Sequence, residues 1–171
     1  MIIVFALSSI EYYSHNMKYK ITFWFTLVEI MVVVAVIGLL AAIAIPSFMK
    51  AGITSQNTTF AQQIRTAAGA FKQACITEGD YPPDVSRGVM PEGMEDHLQD
   101  FPWAQETPIG GQWDWDYEVF GYKAGVSVCN PEADEDRMKN IDEILDDGNL
   151  DSGQFRTRPE GYIYIIESSQ E

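Results

Sequence analysis

The longest apolar stretch of the chain runs from Phe25 to Pro46 and contains one charged side chain, Glu29. From Ile30 to Ile45 every residue is apolar or glycine. A run of about 20 such residues is long enough to cross a bilayer as a helix. A carboxylate is costly inside a membrane, so Glu29 needs a reason to be there. The pattern predicts a transmembrane helix over residues 25–46.

Helical periodicity continues beyond this stretch. Between Ser47 and Ile76 there is no further proline. Apolar side chains recur there near the spacing of a helix face, at Phe60, Ile64, Ala67, Ala68, Phe71 and Cys75. The sequence therefore predicts one long helix from about Phe25 to Thr77. A kink is expected at Pro46, which has no N–H to donate to the carbonyl of Ala42.

The second half of the chain alternates between apolar and polar residues. Residues 113–120 and 122–128 read as a hairpin around Gly121, and residues 161–167 read as a last strand. Aromatic side chains fall on one face of the first strand, and Asp114, Asp116 and Glu118 fall on the other, which we expect to be solvated. A short helix is predicted over 91–98. An acidic helix is predicted over 131–145, with four residues facing inward: Met138, Ile141, Ile144 and Leu145.

These elements predict an α+β fold. An antiparallel sheet with one apolar face and a helix with one apolar stripe both require cover, and each can cover the other. We therefore expect one long N-terminal helix packed on a small antiparallel sheet. The predicted divisions are a leader at 1–24, a transmembrane and assembly helix at 25–46, and a head at 47–171.

Charge sets the orientation and excludes one class of partner. The 171 residues carry a formal net charge of −14, so a nucleic-acid partner is not expected. Lys18 and Lys20 lie just before the apolar run, which predicts that this end stays in the cytoplasm and the acidic head is exported.

The segment Phe25-Thr26-Leu27-Val28-Glu29, followed by the apolar run and closed by Ala44-Ile45-Pro46, resembles the N-terminal segment of type IV pilins and type II secretion pseudopilins. The resemblance covers about 22 residues. It implies a pilin-like fold and a filament subunit of a type II secretion or type IV pilus-like system. It places the chain in the bacterial inner membrane as a single-pass protein, with its head periplasmic or extracellular.

The same resemblance implies processing and partners. A prepilin peptidase/methyltransferase would cut between Trp24 and Phe25 and methylate the new amine of Phe25. Before assembly, lipid of the inner membrane would surround the helix. In the filament, Glu29 would pair with the amine of a neighbouring homologous subunit. The sequence departs from the family at Trp24, where the family has glycine because the peptidase needs a small residue before the cut.

The start of the chain leaves two readings open. Met17 to Trp24 is short and basic and ends at the expected cleavage point, as a prepilin leader does. Translation therefore begins either at Met17, with residues 1–16 an upstream extension, or at Met1 with a long leader.

Asp146 to Gly153 concentrates oxygen-bearing side chains around two glycines. Calcium takes several such oxygens on a flexible loop. Major pseudopilins bind calcium in a C-terminal loop, so the resemblance makes calcium the one cofactor to consider. The segment lacks full EF-hand spacing, and the alternative is a solvated turn after a glycine-terminated helix.

Two further groups of residues each allow two readings. Cys75 and Cys129 both fall in the predicted exported part, where they either form a disulfide or remain separate thiols. Aromatic residues of the head form either the core, which is favoured, or a sugar-stacking platform; they are Trp103, Trp113, Trp115 and Tyr117.

No catalytic motif is recognisable in the sequence. There is no glycine-rich phosphate loop, no metal-spaced cluster of histidine and cysteine, and no nucleophile–base pair. We therefore do not expect an enzyme. The alternative to a filament subunit is an unprocessed, membrane-anchored binding module with an extracytoplasmic head.

Overall fold

A computed structural model describes residues 26–169. Its elements, in chain order, are α1 (Leu27–Glu78), β1 (Gln112–Tyr117), β2 (Tyr122–Cys129), α2 (Glu135–Leu145), β3 (Phe155–Arg158) and β4 (Gly161–Ser168). The strands form one antiparallel four-stranded sheet in the order β1-β2-β4-β3. The predicted α+β class, with one long N-terminal helix and a small antiparallel sheet, is confirmed.

The described residues divide into two units, the first ending at Pro46 and the second beginning at Ser47. Pro46 lies inside α1 and does not end it. A proline N–H is missing at this point, so one helical hydrogen bond is lost. The kink at Pro46 stays a prediction.

In the second unit, α1 buries the apolar stripe that its sequence predicts. Phe60, Ile64 and Phe71 are fully buried, and alanines between them allow close approach to the sheet. The Phe60 ring stacks on Trp113 at 5.4 Å between centroids, and the Phe71 ring stacks on Trp115 at 3.8 Å. Stacked and edge-to-face aromatic pairs add to the stabilisation that burial alone provides. Trp103, Trp113 and Trp115 are therefore core, as favoured above, and Tyr117 packs half-buried against that core.

The strand register fixes which side chains share a face of the sheet. Trp113 lies opposite Val128 and Trp115 opposite Val126, on the face that meets α1. Asp114 lies opposite Ser127 on the other face, here called the outer face. Residues directly opposite in an antiparallel pair point to the same side, and successive residues alternate.

The outer face corrects one expectation from the sequence. Asp114 and Asp116 were expected to be solvated, but both are buried, at 9% and 4% exposure. Polar residues therefore continue the alternation of β1 without facing water. The reason is a partner from another strand, Arg158, described below.

The smaller elements differ in detail from the sequence predictions. The helix expected over 91–98 is wrong, because these residues form turns with Met94 and Leu98 buried. Strand β3 was not predicted. Helix α2 begins later than expected, where the Asp134 carboxylate accepts a hydrogen bond from the N–H of Arg137 as its N-cap. Ile144 was expected to face inward but is 38% exposed.

Candidate functional site

The first part of α1 presents an uninterrupted apolar surface. Large side chains from Leu27 to Ile45 are exposed, including Leu27 at 75% and Ile43 at 69%. Of the described residues, this is the one helix long and apolar enough to cross a membrane, and its most apolar window has no buried residue. Such a surface is stable only against lipid or other apolar side chains.

Glu29 lies in the first turn of α1 and is exposed. Its backbone N–H donates to the hydroxyl of Thr26 at 3.3 Å, and also to the Thr26 carbonyl at 3.0 Å. Thr26 and Glu29 have the T-x-x-E spacing of a capping box, in which the threonine hydroxyl caps the helix. A carboxylate in the first turn also interacts favourably with the positive end of the helix dipole. The sequence carried this signal, which gives Glu29 a second, local role.

The predicted cleavage site lies outside the described residues. Trp24 and Phe25 precede residue 26, so the structure does not place the Phe25 amine relative to Glu29. The cut between them, the methylation of Phe25 and the pairing with Glu29 stay predictions.

A charged cluster is buried on the outer face of the sheet. Arg158, from β3, donates through Nη2 to Asp114 Oδ2 at 2.8 Å, and its Nε lies 3.3 Å from Asp116 Oδ2. The Ser127 hydroxyl donates a short hydrogen bond to Asp116 Oδ2. Burial raises the pKa of Asp116 to about 6, against the opposing effects of Ser127 and Arg158.

Glycine makes the reach of Arg158 across the sheet possible. Gly161 of β4 stands between Arg158 of β3 and Cys129 of β2 in the strand register, so no side chain separates the two. A Cβ at Gly161 would lie 1.9 Å from the carbonyl oxygen of Val128. The guanidinium is covered by the Phe120 ring, with 5.0 Å between Arg158 Cζ and the ring centroid.

The structure does not contain the disulfide considered from the sequence. Cys75 and Cys129 are both free thiols. Cys129 belongs to the outer face, where its thiol donates to Asp114 Oδ2 at 3.2 Å and accepts from Arg158 Nη2. Cys75 is part of α1 and packs against the core on the opposite face. A disulfide requires Cβ atoms about 4 Å apart, and here the sheet lies between them.

Burial makes Cys129 a poor nucleophile. Desolvation and the neighbouring Asp114 carboxylate raise the pKa of its thiol to about 12. The thiolate is the reactive form of cysteine, so the raised pKa makes the Cys129 thiol less reactive, and its contacts here are hydrogen bonds to Asp114 and Arg158.

A second cluster of carboxylates lies at the end of α2. Oxygen atoms of Asp142, Asp146 and Asp147 all lie within 4.8 Å of one another. Asp142 is fully buried, whereas Asp146 and Asp147 are exposed. Burial, followed by the neighbouring carboxylates, raises the pKa of Asp142 to about 6.

Hydrogen bonds order the loop after Asp146. Asp147 Oδ1 accepts from the N–H of Asn149 at 2.8 Å, and its Oδ2 accepts from the Ser152 hydroxyl at 2.9 Å. These bonds lower the pKa of Asp147. The Asp146 carboxylate accepts a short hydrogen bond from the N–H of Gln154. Gly153, with φ of +74°, leaves the space that Asp146 occupies.

Sequence reasoning identified Asp146 and Asp147 but missed Asp142. The available signal was its position in the inward stripe of α2, four residues after Met138 and one after Ile141. An aspartate at such a position predicts either a buried partner or a ligand. It also lies four residues before Asp146, so both reach the same end of the helix.

Comparison with known proteins adds no relative. No family model, no curated protein and no solved structure matches this chain.

Proposed function

We propose that this chain is a structural subunit of a pilin-like or pseudopilin filament, in a type II secretion or type IV pilus-like system. Its helix α1 would anchor it in the bacterial inner membrane, with the acidic head on the periplasmic or extracellular side. Assembly then transfers the helix from lipid to the core of a filament of homologous subunits. The chain would act by assembly and not by catalysis.

The observation that carries this proposal is the exposed apolar surface at the start of α1, none of it buried in its most apolar window, with a single carboxylate in the first turn. A simple anchor needs apolar residues, and Glu29 offers it only a favourable interaction at the start of the helix, against the cost of a carboxylate in the membrane. A filament subunit needs both the apolar surface and Glu29. An apolar surface packs equally well against lipid and against a neighbouring helix, so a further interaction is needed to select the helix.

The packing surface of the helix agrees with association. Gly38 and Ala42 are four residues apart, and no side chain of residues 26–169 lies within 4 Å of the position of a Gly38 Cβ. Small residues at this spacing let two helices approach closely in an apolar environment. Glu29 would then fix the register, by pairing with the Phe25 amine of a neighbour.

Processing is the first test. We expect a prepilin peptidase to cut between Trp24 and Phe25 and to methylate the new amine. Intact-mass and N-terminal peptide analysis of membrane-extracted protein will show a mature chain beginning at methylated Phe25. Trp24→Gly should increase the cleaved fraction, because the peptidase favours a small residue there. A chain that keeps Lys18 to Trp24 in both forms would contradict the filament proposal.

The role of Glu29 is the second test. We expect Glu29→Ala to insert in the membrane normally, since the loss of a carboxylate only makes insertion more favourable. We expect its subunit crosslinking and filament yield to fall at least tenfold, because the pairing with a neighbour is lost. Crosslinking of co-expressed wild-type and variant chains measures the effect.

Two matched variants separate pairing from helix capping. Glu29→Gln removes the charge but keeps a residue suited to the capping box, whereas Thr26→Ala removes the capping hydroxyl and keeps the charge. Pairing predicts that Glu29→Gln fails to assemble and that Thr26→Ala assembles. The reverse result would show that Glu29 only caps the helix.

The alternative function is an unprocessed, membrane-anchored binding module. The observation that favours it is Trp24, which stands where the family has glycine. It predicts a retained leader, no effect of Glu29→Gln and no subunit crosslinks, so the two tests above distinguish it.

A further inference from the structure

We propose that the buried charged cluster on the outer face of the sheet is a proton-sensitive latch. It holds the turn between β1 and β2 (residues 118–121) closed in mildly acidic surroundings and releases this turn near neutral pH. Asp116 takes up the proton, and Phe120 is the part of the turn that moves. The proposal stands on contacts within the second unit and does not depend on filament assembly.

The cluster holds more negative than positive charge. The side chains of Asp114, Asp116 and Arg158 belong to residues that are each at most 9% exposed. Two ionised carboxylates against one guanidinium leave one negative charge uncompensated. A net charge in a desolvated site is unfavourable, and a single proton removes it.

The contacts assign this proton to Asp116. Arg158 Nη2 donates a hydrogen bond to Asp114 at 2.8 Å, and the Cys129 thiol donates a second one at 3.2 Å. Arg158 Nε lies 3.3 Å from Asp116 Oδ2, but among the described residues it has no hydrogen-bond partner. Asp114 therefore receives the better compensation, and Asp116 is the carboxylate left to accept a proton.

The groups around Asp116 suit a change of protonation. The Ser127 hydroxyl of β2 donates to the ionised carboxylate and can accept from the protonated one, so both states have a partner. Asp84, which precedes β1 and accepts from the N–H of Tyr117 at 3.3 Å, adds a further negative charge. Burial raises the pKa of Asp116 to about 6, and the nearby carboxylates act in the same direction. Ser127 and Arg158 oppose this rise.

The remaining neighbours on the outer face do not compete for this proton. Desolvation and Asp114 raise the pKa of the Cys129 thiol to about 12, so the thiol stays neutral. Arg87 is paired with Glu160 at 2.6 Å on the exposed surface. The outward residues of β4 have no titratable group; they are Gly161, Ile163 and Ile165.

The turn between β1 and β2 is strained and covers the cluster. Glu118 and Phe120 have φ of +57° and +54°. Side chains other than glycine rarely adopt this left-handed conformation, and residues held in it concentrate in segments that switch. The Phe120 ring lies over the Arg158 guanidinium, 5.0 Å from Cζ to the ring centroid, while Phe120 itself is 46% exposed. This contact holds the strained turn against the sheet.

The charge of the cluster and the closure of the turn are therefore linked. With Asp116 protonated, the site beneath the Phe120 ring is a neutral ion pair. Loss of the proton leaves a net negative charge beneath an apolar ring, and water has to approach to solvate it. Opening of the turn admits this water and relieves the strained backbone. A rise in pH through about 6 should thus shift the turn from closed to open.

Urea unfolding of the full chain in detergent is the first test. A proton that the folded head binds more tightly than the unfolded chain stabilises the head in acid, and this stabilisation is lost as the pH rises through about 6. The unfolding equilibrium constant of the wild type, divided by that of Asp116→Asn, should therefore rise about tenfold from pH 5 to pH 7.5.

Asp136→Asn is the matched control, because Asp136 is an exposed aspartate of α2. The same ratio taken against this variant should stay constant over the pH range. The raised pKa of Asp142 does not affect either ratio, since Asp142 is present in all three proteins. A constant ratio against Asp116→Asn would overturn the uptake of a proton by Asp116.

Hydrogen exchange of the turn is the second test, because a carboxylate with a purely structural role would leave it unchanged. The N–H groups of Glu118 and Tyr122 donate across the turn, to Lys123 and Val119. Corrected for the intrinsic pH dependence of exchange, their protection should fall from pH 5 to pH 7.5 in the wild type. Asp116→Asn should remain protected at both values. Equal protection of the wild type at both values would rule out the latch.

Two further variants complete the test. Phe120→Ala removes the cover and should lose protection of the turn at both pH values; full protection in this variant would contradict the role of the ring. If Asp116→Asn does not fold, Ser127→Ala replaces it. Loss of the hydroxyl removes a donor to the ionised carboxylate, so the midpoint of the change in exchange should move to higher pH. An unmoved midpoint would contradict the assignment to Asp116.

Discussion

Replacement of Arg158 by leucine is expected to lower the free energy of unfolding by about 3–5 kcal/mol. Arg158 is buried and is the cation that faces Asp114 and Asp116 on the outer face of the sheet. Its removal leaves two carboxylates in a desolvated site without a compensating charge, held only by the Ser127 hydroxyl and the Cys129 thiol, which is far more costly than the loss of the ion pairs alone. Urea unfolding of the detergent-solubilised chain, followed by tryptophan fluorescence, measures the change.

An exposed ion pair provides the matched control. Arg87 bonds Glu160 at 2.6 Å, but the two side chains are 44% and 61% exposed. Arg87→Leu should therefore change the free energy of unfolding by less than about 1 kcal/mol. If Arg158→Leu and Arg87→Leu lowered the free energy of unfolding equally, burial of the ion pair would not explain the cost.

A combined variant tests the cause. Arg158→Leu together with Asp114→Asn and Asp116→Asn removes the cation and both charges, and should recover most of the lost stability. Buried ion clusters can often be replaced by uncharged residues at little cost, whereas breaking them is destabilising. If the combined variant is no more stable than Arg158→Leu, then packing of the arginine against Phe120 matters more than charge.

Phe71→Ala is expected to lower the free energy of unfolding by about 3–5 kcal/mol as well. The Phe71 ring is fully buried, stacks on Trp115 at 3.8 Å and meets Trp103 edge to face at 5.6 Å. Truncation removes apolar contact on both sides and leaves a cavity between α1 and the sheet. Urea unfolding of the detergent-solubilised chain measures the loss.

Ile76→Ala is the control for this substitution, because Ile76 is on the same helix and is 85% exposed. Alanine is also a better helix former than isoleucine, so this variant should be neutral or slightly more stable. A small loss at Phe71, similar to that of Ile76→Ala, would mean that α1 does not depend on this stack.

The sequence determined the elements whose hydrophobic pattern is long and regular. The 52-residue helix α1, with the bilayer-length apolar run at its start, follows from composition and 3.6-residue periodicity. Alternation in β1 and β2 predicted the hairpin and the face on which Trp113 and Trp115 meet the helix. These features depend on local period and could be predicted without tertiary contacts.

The sequence did not predict strand β3 or the turns over 91–98. Strand β3 has four residues, Phe155 to Arg158, with two arginines and no run of alternating apolar residues. It is a strand because its backbone pairs with β4, and pairing partners distant in sequence leave no local pattern. The helix predicted over 91–98 is wrong because these residues form turns, and the turns place Met94 and Leu98 against the core.

The polar clusters were decided by the tertiary structure alone. Asp114 and Asp116 are buried because Arg158, 44 residues from Asp114, reaches them across the glycine of β4. Cys129 faces that cluster and not Cys75, because strand register sets the side on which each residue points. Whether a polar side chain faces water or a buried partner depends on contacts between segments that are distant in sequence. Hydrophobic periodicity is a local pattern and carries no information about such contacts.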